Sequence, residues 1–360
     1  MPDPAGPPAL ERPRRGRWAV AHHGRATRVV LFVLGLGLTA GALVTLLSSS
    51  GGIDDILRAL DHVSGEWAGA AVGATVAGYL LNAFHLRRLT SGRIPLWRAA
   101  RTDLLLFGLG NLLPGAPAPG ALLAAAELRR AGLSARRARL VLAFTAWFNV
   151  RTLLAIAALS FLVALAGEHP GLREAGLWWI AAVAVILALA ASARLAARTT
   201  TAEHGAQFLA RLRVRRPRPP AEVTRTTASA WHAEVKATVG TPINRVVLVA
   251  LAAGSWIADA ACLDLALTAA GVRLDADIVL LSYIAGVLIS ALPLLPAGIG
   301  VVEAAIPAVL HHFGAPLDAA LAGTLVYRGI SLMLPAASGA LIVAQISMST
   351  RRHATETLNR

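Results

Sequence analysis

The chain has 360 residues, 56% of them hydrophobic and 15% charged, with a mean hydropathy of +0.61 and a formal net charge of +14. A single cysteine, Cys262, excludes a disulfide within the chain and a Cys-based zinc site. Apolar runs near 20 residues exclude an ordinary soluble domain and point to an all-α, polytopic membrane protein.

The positive charge is almost wholly arginine, with Lys236 the only lysine. In a soluble protein this balance would suggest nucleic acid. Here the arginines fall in blocks between apolar runs, as they do in cytoplasmic loops. No nucleic-acid partner is expected, because the arginine-rich 211–218 stretch carries no aromatic stacking pattern. The arginine bias itself is compositional and fits a GC-rich bacterial source.

In chain order, residues 1–28 are rich in Pro and Arg and read as a disordered basic cytoplasmic tail able to touch anionic lipid. A first membrane half covers 29–195. Its first span is 29–47, too long for a signal-peptide core and without an Ala-x-Ala cleavage site. An acidic outer loop follows, then an inward span at 67–84 carrying Asn82 and a block of arginines.

Residues 102–128 break the pattern. An apolar arm of about ten residues would reach only about 15 Å, half of a hydrocarbon core. It ends in Asn111-Leu112-Leu113-Pro114-Gly115-Ala116-Pro117-Ala118-Pro119-Gly120, and both flanks are basic. The simplest account is a re-entrant hairpin opening to the cytoplasm. Spans at 140–166, with Arg151 near its middle, and at 176–195 complete this half.

A basic cytoplasmic loop, 196–245, leads to the second half, 246–345. Its first span, 246–271, holds Asp259 and Asp264. A second hairpin, 278–313, contains Leu292-Pro293-Leu294-Leu295-Pro296-Ala297-Gly298-Ile299-Gly300-Val301-Val302-Glu303. Broken helix and carboxylate together at membrane depth suggest a functional site. The competing readings are a Pro-kinked helix whose Glu pairs with an Arg, and two complete spans. A last span, 317–345, carries Arg328, and a cytoplasmic tail, 346–360, ends the chain. The expectation is about six full spans and two hairpins, with both termini cytoplasmic, in a bacterial plasma membrane.

The two breaks also suggest a repeat. Anchored on Pro114 and Pro296, an offset of 182 superposes Leu112-Leu113-Pro114 on Leu294-Leu295-Pro296, Gly132 on Gly314, and Asn82 on Asp264. Each half then has a span with one arginine, Arg151 or Arg328. The hairpins open to opposite sides, so the repeat is inverted, an architecture of secondary transporters.

These residues carry a resemblance. Residues 111–120 with Leu128-Arg129-Arg130-Ala131-Gly132-Leu133-Ser134, the Pro296–Glu303 element and Tyr327-Arg328-Gly329-Ile330-Ser331-Leu332-Met333-Leu334-Pro335 resemble the flippase-like membrane domain of lysylphosphatidylglycerol synthases. The resemblance implies a protein that moves, or helps to move, a charged lipid between leaflets. The Pro-rich first break and Ala124-Ala125-Ala126 depart from that family's pattern. The soluble aminoacyl-transferase domain of the synthases is absent from this sequence.

Arg151 and Arg328 suit a phosphate, because guanidinium binds it bidentately and stays charged. Glu303, Asp259 and Asp264 suit a cationic headgroup, a proton or Na⁺. The alternative is structural: Glu303 or Asp264 pairs with Arg328 or Arg151 to lock helices. No cofactor, metal site or catalytic residue is expected. His311-His312 lacks a Glu at metalloprotease spacing, Asp275-Ala276-Asp277 reads as a helix boundary, and no Walker A motif occurs. The function expected is lipid transport of flippase type. A membrane enzyme or accessory subunit in cell-envelope glycolipid assembly, and an ion-coupled solute transporter, are the alternatives. Expected partners are membrane lipids, with a second copy or an envelope-biosynthesis enzyme as protein partners.

Overall fold

The computed structural model describes residues 58–110, 118–166, 239–290 and 298–358. The expected spans 29–47 and 176–195 lie outside these residues. So do Asn111, Pro114, Gly115 and Pro296, the tail 1–28 and most of the loop 196–245.

The described chain is helical and contains no strand. In order come α1 (Gly65–Leu89), α2 (Leu96–Asp103) running into a π-helical segment (Leu104–Leu109), α3 (Ala118–Arg130) and α4 (Ala135–Ala166). The second half has α5 (Pro242–Ala269), α6 (Ala276–Ser290), α7 (Val301–His312) and α8 (Leu317–Arg328). A second π segment (Gly329–Met333) then leads into α9 (Leu334–Leu358). Four helical stretches are long and apolar enough to cross a membrane: Gly65–Leu89, Ala135–Ser160, Pro242–Ala269 and Leu317–Met348. They coincide with the expected spans at 67–84, 140–166, 246–271 and 317–345.

The spans carry the marks of helices that face lipid. α1 leaves Val76, Leu80 and Phe84 exposed at four-residue spacing, one stripe of a single face. Charge follows the helix dipole, with Glu66 in the first turn of α1 and Arg87 and Arg88 in the last. α5 starts with Thr241 as N-cap and Pro242 in its first turn, a start the chemistry of those residues favours. This places 242–245 inside a span rather than in the preceding loop.

α6 and α7 have 15 and 12 residues. At 1.5 Å per residue they reach about 22 and 18 Å, short of a core of about 30 Å. They pack closely, since a Cβ on Gly286 would lie 2.7 Å from Ile306 Cγ1. The first break has the same character. A Cβ on Gly110 would meet the Gly120 Cα at 2.7 Å, so the arms on either side of 111–117 touch backbone to backbone. The first arm is longer than its apolar part, because α2 adds an amphipathic entry with Arg98, Arg101 and Asp103. Arg98 Nη1 donates to the Arg130 carbonyl at 3.0 Å and Arg101 pairs with Glu127 at 3.3 Å, clasping α2 to α3.

Each half has its own core. One gathers Leu86, Leu89, Ile94, Leu128, Val141 and Phe148 from α1–α4. The other gathers Leu263, Leu267, Tyr283, Ile284, Ile306 and Leu310 from α5–α7. The halves repeat in detail. Leu133 N–H donates to Leu128 O and Ala315 N–H donates to Leu310 O, closing α3 and α7 in the same way. Gly132 and Gly314 take φ of 93° and 94° at these turns, and α4 and α8 begin 182 residues apart.

Ahead of the breaks the register is 180, not 182. Gly92 N–H donates to Arg87 O as Val272 N–H donates to Leu267 O, and α2 and α6 start 180 residues apart. The second break is therefore longer by two residues. A match anchored on the prolines carries the wrong register back across it, so Asn82 corresponds to Cys262 and not to Asp264.

The equivalent helices α1 and α5 run antiparallel: Ser64 N–H donates to Ala269 O at one end, and Arg87 and Arg88 face Thr241 at the other. They cross where a Cβ on Gly78 would stand 3.5 Å from Ala258 Cβ. Those two positions are themselves repeat partners, so the crossing lies on the pseudo-two-fold axis and the repeat is inverted.

Candidate functional site

Glu303 is the third residue of α7, after Gly300 at its N-cap. Gly300 has a φ of 82° and Gly298 one of 63°, backbone that glycine alone adopts at little cost. That turn aims the Gly300 N–H at the Glu303 side chain, which accepts it through Oε2 at 2.6 Å. The other oxygen, Oε1, accepts from Arg328 Nε at 2.7 Å. The side chains of the pair are 13% and 14% exposed. Sequence left open whether these two residues meet, and the structure joins them.

Arg328 ends α8, and the π-helical segment Gly329–Met333 follows it. A π turn reorients side chains within a helix and often accompanies a functional site. The other π segment, Leu104–Leu109, packs against the start of α9. A Cβ on Gly108 would lie 2.6 Å from the Pro335 carbonyl oxygen. The π segment ahead of the first break thus rests on the helix that follows Arg328.

Asp259, from α5, is held by two tyrosines. Its Oδ2 accepts from the Tyr283 hydroxyl at 2.9 Å and from the Tyr327 hydroxyl at 3.2 Å. Tyr327 adjoins Arg328, so α8 presents a hydroxyl to one carboxylate and a guanidinium to another. The third tyrosine of the chain, Tyr79 on α1, lies close enough to feel the charges of both Asp103 and Asp259. The 180-residue register carries Tyr79 onto Asp259 and Asp103 onto Tyr283. Each half thus contributes one tyrosine and one aspartate, on exchanged helices, beside the axis. Asp103 is 1% exposed, and its Oδ2 has no hydrogen-bond partner among the described residues.

Other expected site residues do not join this cluster. Arg151 was expected inside a span, yet it is exposed on α4, with its guanidinium 4.1 Å from the centre of the Trp147 ring. Residues 147 and 151 share the outer face of α4, whereas Phe148, Asn149 and Thr152 face inward. No hydrogen bond or ion pair joins Arg151 to Glu303 or Asp264. Asp264 is half-buried, and its carboxylate makes no hydrogen bond or ion pair among the described residues. Asn82 Oδ1 is buried without a hydrogen-bond partner among them. Of the hairpin-break residues, Gly120, Gly298 and Gly300 are described and stand at close approaches or left-handed turns.

Sequence reading missed Tyr283, Tyr327, Asp103 and the Gly300 N–H as parts of the site. The scarcity of tyrosine was the available signal. The chain has three, and each lies in a helix of the membrane region. Of the motifs set aside, Asp277 does serve a helix start, its Oδ1 accepting from Ile278 N–H at 3.0 Å. His311 Nδ1 lies 2.9 Å from the Ala315 carbonyl oxygen, at the turn closing α7. No group of three metal-ligating side chains occurs among the described residues.

A family described as the lysylphosphatidylglycerol synthase TM region matches residues 32–339, a span that includes both breaks, Asp259, Glu303 and Arg328. No protein of curated function matches the chain.

Proposed function

We propose, from the premise that this chain belongs to the lysylphosphatidylglycerol synthase TM-region family, that it carries a charged lipid headgroup between the leaflets. The observation that supports this most is the Glu303–Arg328 pair at the N-terminus of a short helix that follows a break. A free charge in lipid costs several kcal/mol. Two opposite charges that satisfy each other can rest there, and a headgroup bearing both signs can replace each partner in turn. Its phosphate takes Arg328, and its ammonium or other cationic group takes Glu303. The Gly300 N–H holds the carboxylate in place while its partner changes.

On this reading the two broken elements are re-entrant hairpins that meet from opposite sides. The short reach of α6 and α7 and the antiparallel, repeat-related α1 and α5 support this. The Asp259–Tyr283–Tyr327 cluster is the hinge that ties α5 to α6 and α8 around the pair. The arginine-rich end of α1 faces the cytoplasm by the charge rule.

The test is transbilayer movement in liposomes containing purified protein, with fluorescent anionic, zwitterionic and aminoacylated phospholipids labelled at the headgroup. Protein-dependent movement of at least one class is the expected result. Rates equal to those of protein-free liposomes for all three overturn the proposal.

A further inference from the structure

At the basic end of the α1–α5 pair lies a cleft of about 690 Å³. Phe84, Arg87, Arg88 and Ser91 line one wall, and Thr241 and Asn244 line the other. Both guanidiniums are exposed and make no hydrogen bond or ion pair among the described residues. No carboxylate lines the cleft. The far wall is the start of the 28-residue α5, whose first-turn N–H groups add partial positive charge. Phe84 is 42% exposed and belongs to the lipid-facing stripe with Val76 and Leu80. Cationic groups therefore sit at the rim and an apolar ring at the membrane side.

The repeat shows that the turn itself does not require these arginines. The equivalent positions in the second half are Leu267 and Thr268. Leu267 carries the same backbone closure while 1% exposed and packed in the core. The first half keeps the turn, opens the corner and places two guanidiniums on it.

We propose that this cleft binds a phosphate ester at the membrane surface, with Arg87 and Arg88 on the phosphate oxygens. For a phospholipid, Phe84 would lie along the first carbons of the acyl chains. The site is distinct from the Glu303–Arg328 pair and stands even if that pair moves no lipid. A membrane phospholipid and a soluble phosphate ester share this chemistry, and the experiment separates them.

Full-length protein in detergent is titrated with short-chain phosphatidylglycerol, phosphatidylcholine and glycerol 3-phosphate. The chains compared are the wild type, Arg87→Gln/Arg88→Gln, Arg87→Lys/Arg88→Lys and Glu303→Gln. The glutamine pair should weaken phosphatidylglycerol binding roughly thirtyfold, the effect of two surface guanidiniums. The lysine pair, which keeps the charge but loses the fork, should fall between, and Glu303→Gln should bind as the wild type does. Glycerol 3-phosphate binding as tightly as the lipid, with the same loss in the glutamine pair, assigns the cleft to a soluble phosphate ester. Should the glutamine pair fail to fold, wild-type affinity in the lysine pair at low and high salt alike overturns the proposal. So does unchanged phosphatidylglycerol affinity in a folded glutamine pair, or loss of binding in Glu303→Gln alone.

Discussion

Replacing Glu303 by Gln tests the geometry of the pair. The carboxylate accepts two donors, Arg328 Nε–H on Oε1 at 2.7 Å and Gly300 N–H on Oε2 at 2.6 Å. A Gln side chain offers one acceptor there, and its amide N–H₂ must face the other donor. It also leaves a guanidinium that is only 13% exposed without its counter-charge. Breaking a buried pair from one side costs roughly 3–5 kcal/mol. The remaining exposure puts this pair at the low end, about 3 kcal/mol. Arg328→Met should cost a similar amount. The double variant Glu303→Leu/Arg328→Met, which removes both charges, should cost about 2 kcal/mol less than the sum of the singles. Reversible unfolding in mixed micelles measures all three. Single costs below about 0.5 kcal/mol, adding without coupling, would refute the reasoning.

Gly132 and Gly314 hold matching left-handed turns with nothing within 4 Å of an added Cβ. Gly132→Ala and Gly314→Ala should therefore each cost about 1–2 kcal/mol from backbone strain alone, and unequal costs in the same unfolding assay would break the repeat. Gly108→Ala meets the Pro335 carbonyl at 2.6 Å, a backbone group that cannot rotate away. It should cost about 1–3 kcal/mol and lower the folded fraction on size-exclusion chromatography. Asp259→Leu leaves two tyrosine hydroxyls without their acceptor and should cost about 2–4 kcal/mol, whereas Asp259→Asn keeps one acceptor oxygen and should cost less than half as much. Melting curves of the two variants side by side decide this.

The membrane class, the described spans and the two break regions were legible because lipid imposes long apolar runs and penalises broken backbone. The repeat was legible at Gly132 and Gly314, where only a left-handed turn explains the residue. It misled at Asn82, because a two-residue difference in the breaks cannot be seen when register is anchored on the breaks themselves. Arg151 misled for another reason. Sequence places a residue along a helix, but only packing fixes which face turns inward, and α4 turns 147 and 151 out. The Glu303–Arg328 contact spans 25 residues and two helices, so nothing local in the sequence announces it. The tyrosines around Asp259 escaped notice because a hydroxyl on an apolar ring reads as core, and its partner lies on another helix.

The central claim is that the Glu303–Arg328 pair stands on a lipid path. The most direct measurement is headgroup-labelled phospholipid movement in liposomes holding the wild type, Glu303→Gln or Arg328→Ala. Each chain is assayed below its own melting temperature, with its fold confirmed by circular dichroism after reconstitution. The account predicts protein-dependent movement in the wild type and near-background rates in both folded variants. Wild-type rates in either variant would contradict it and make the pair a helix lock.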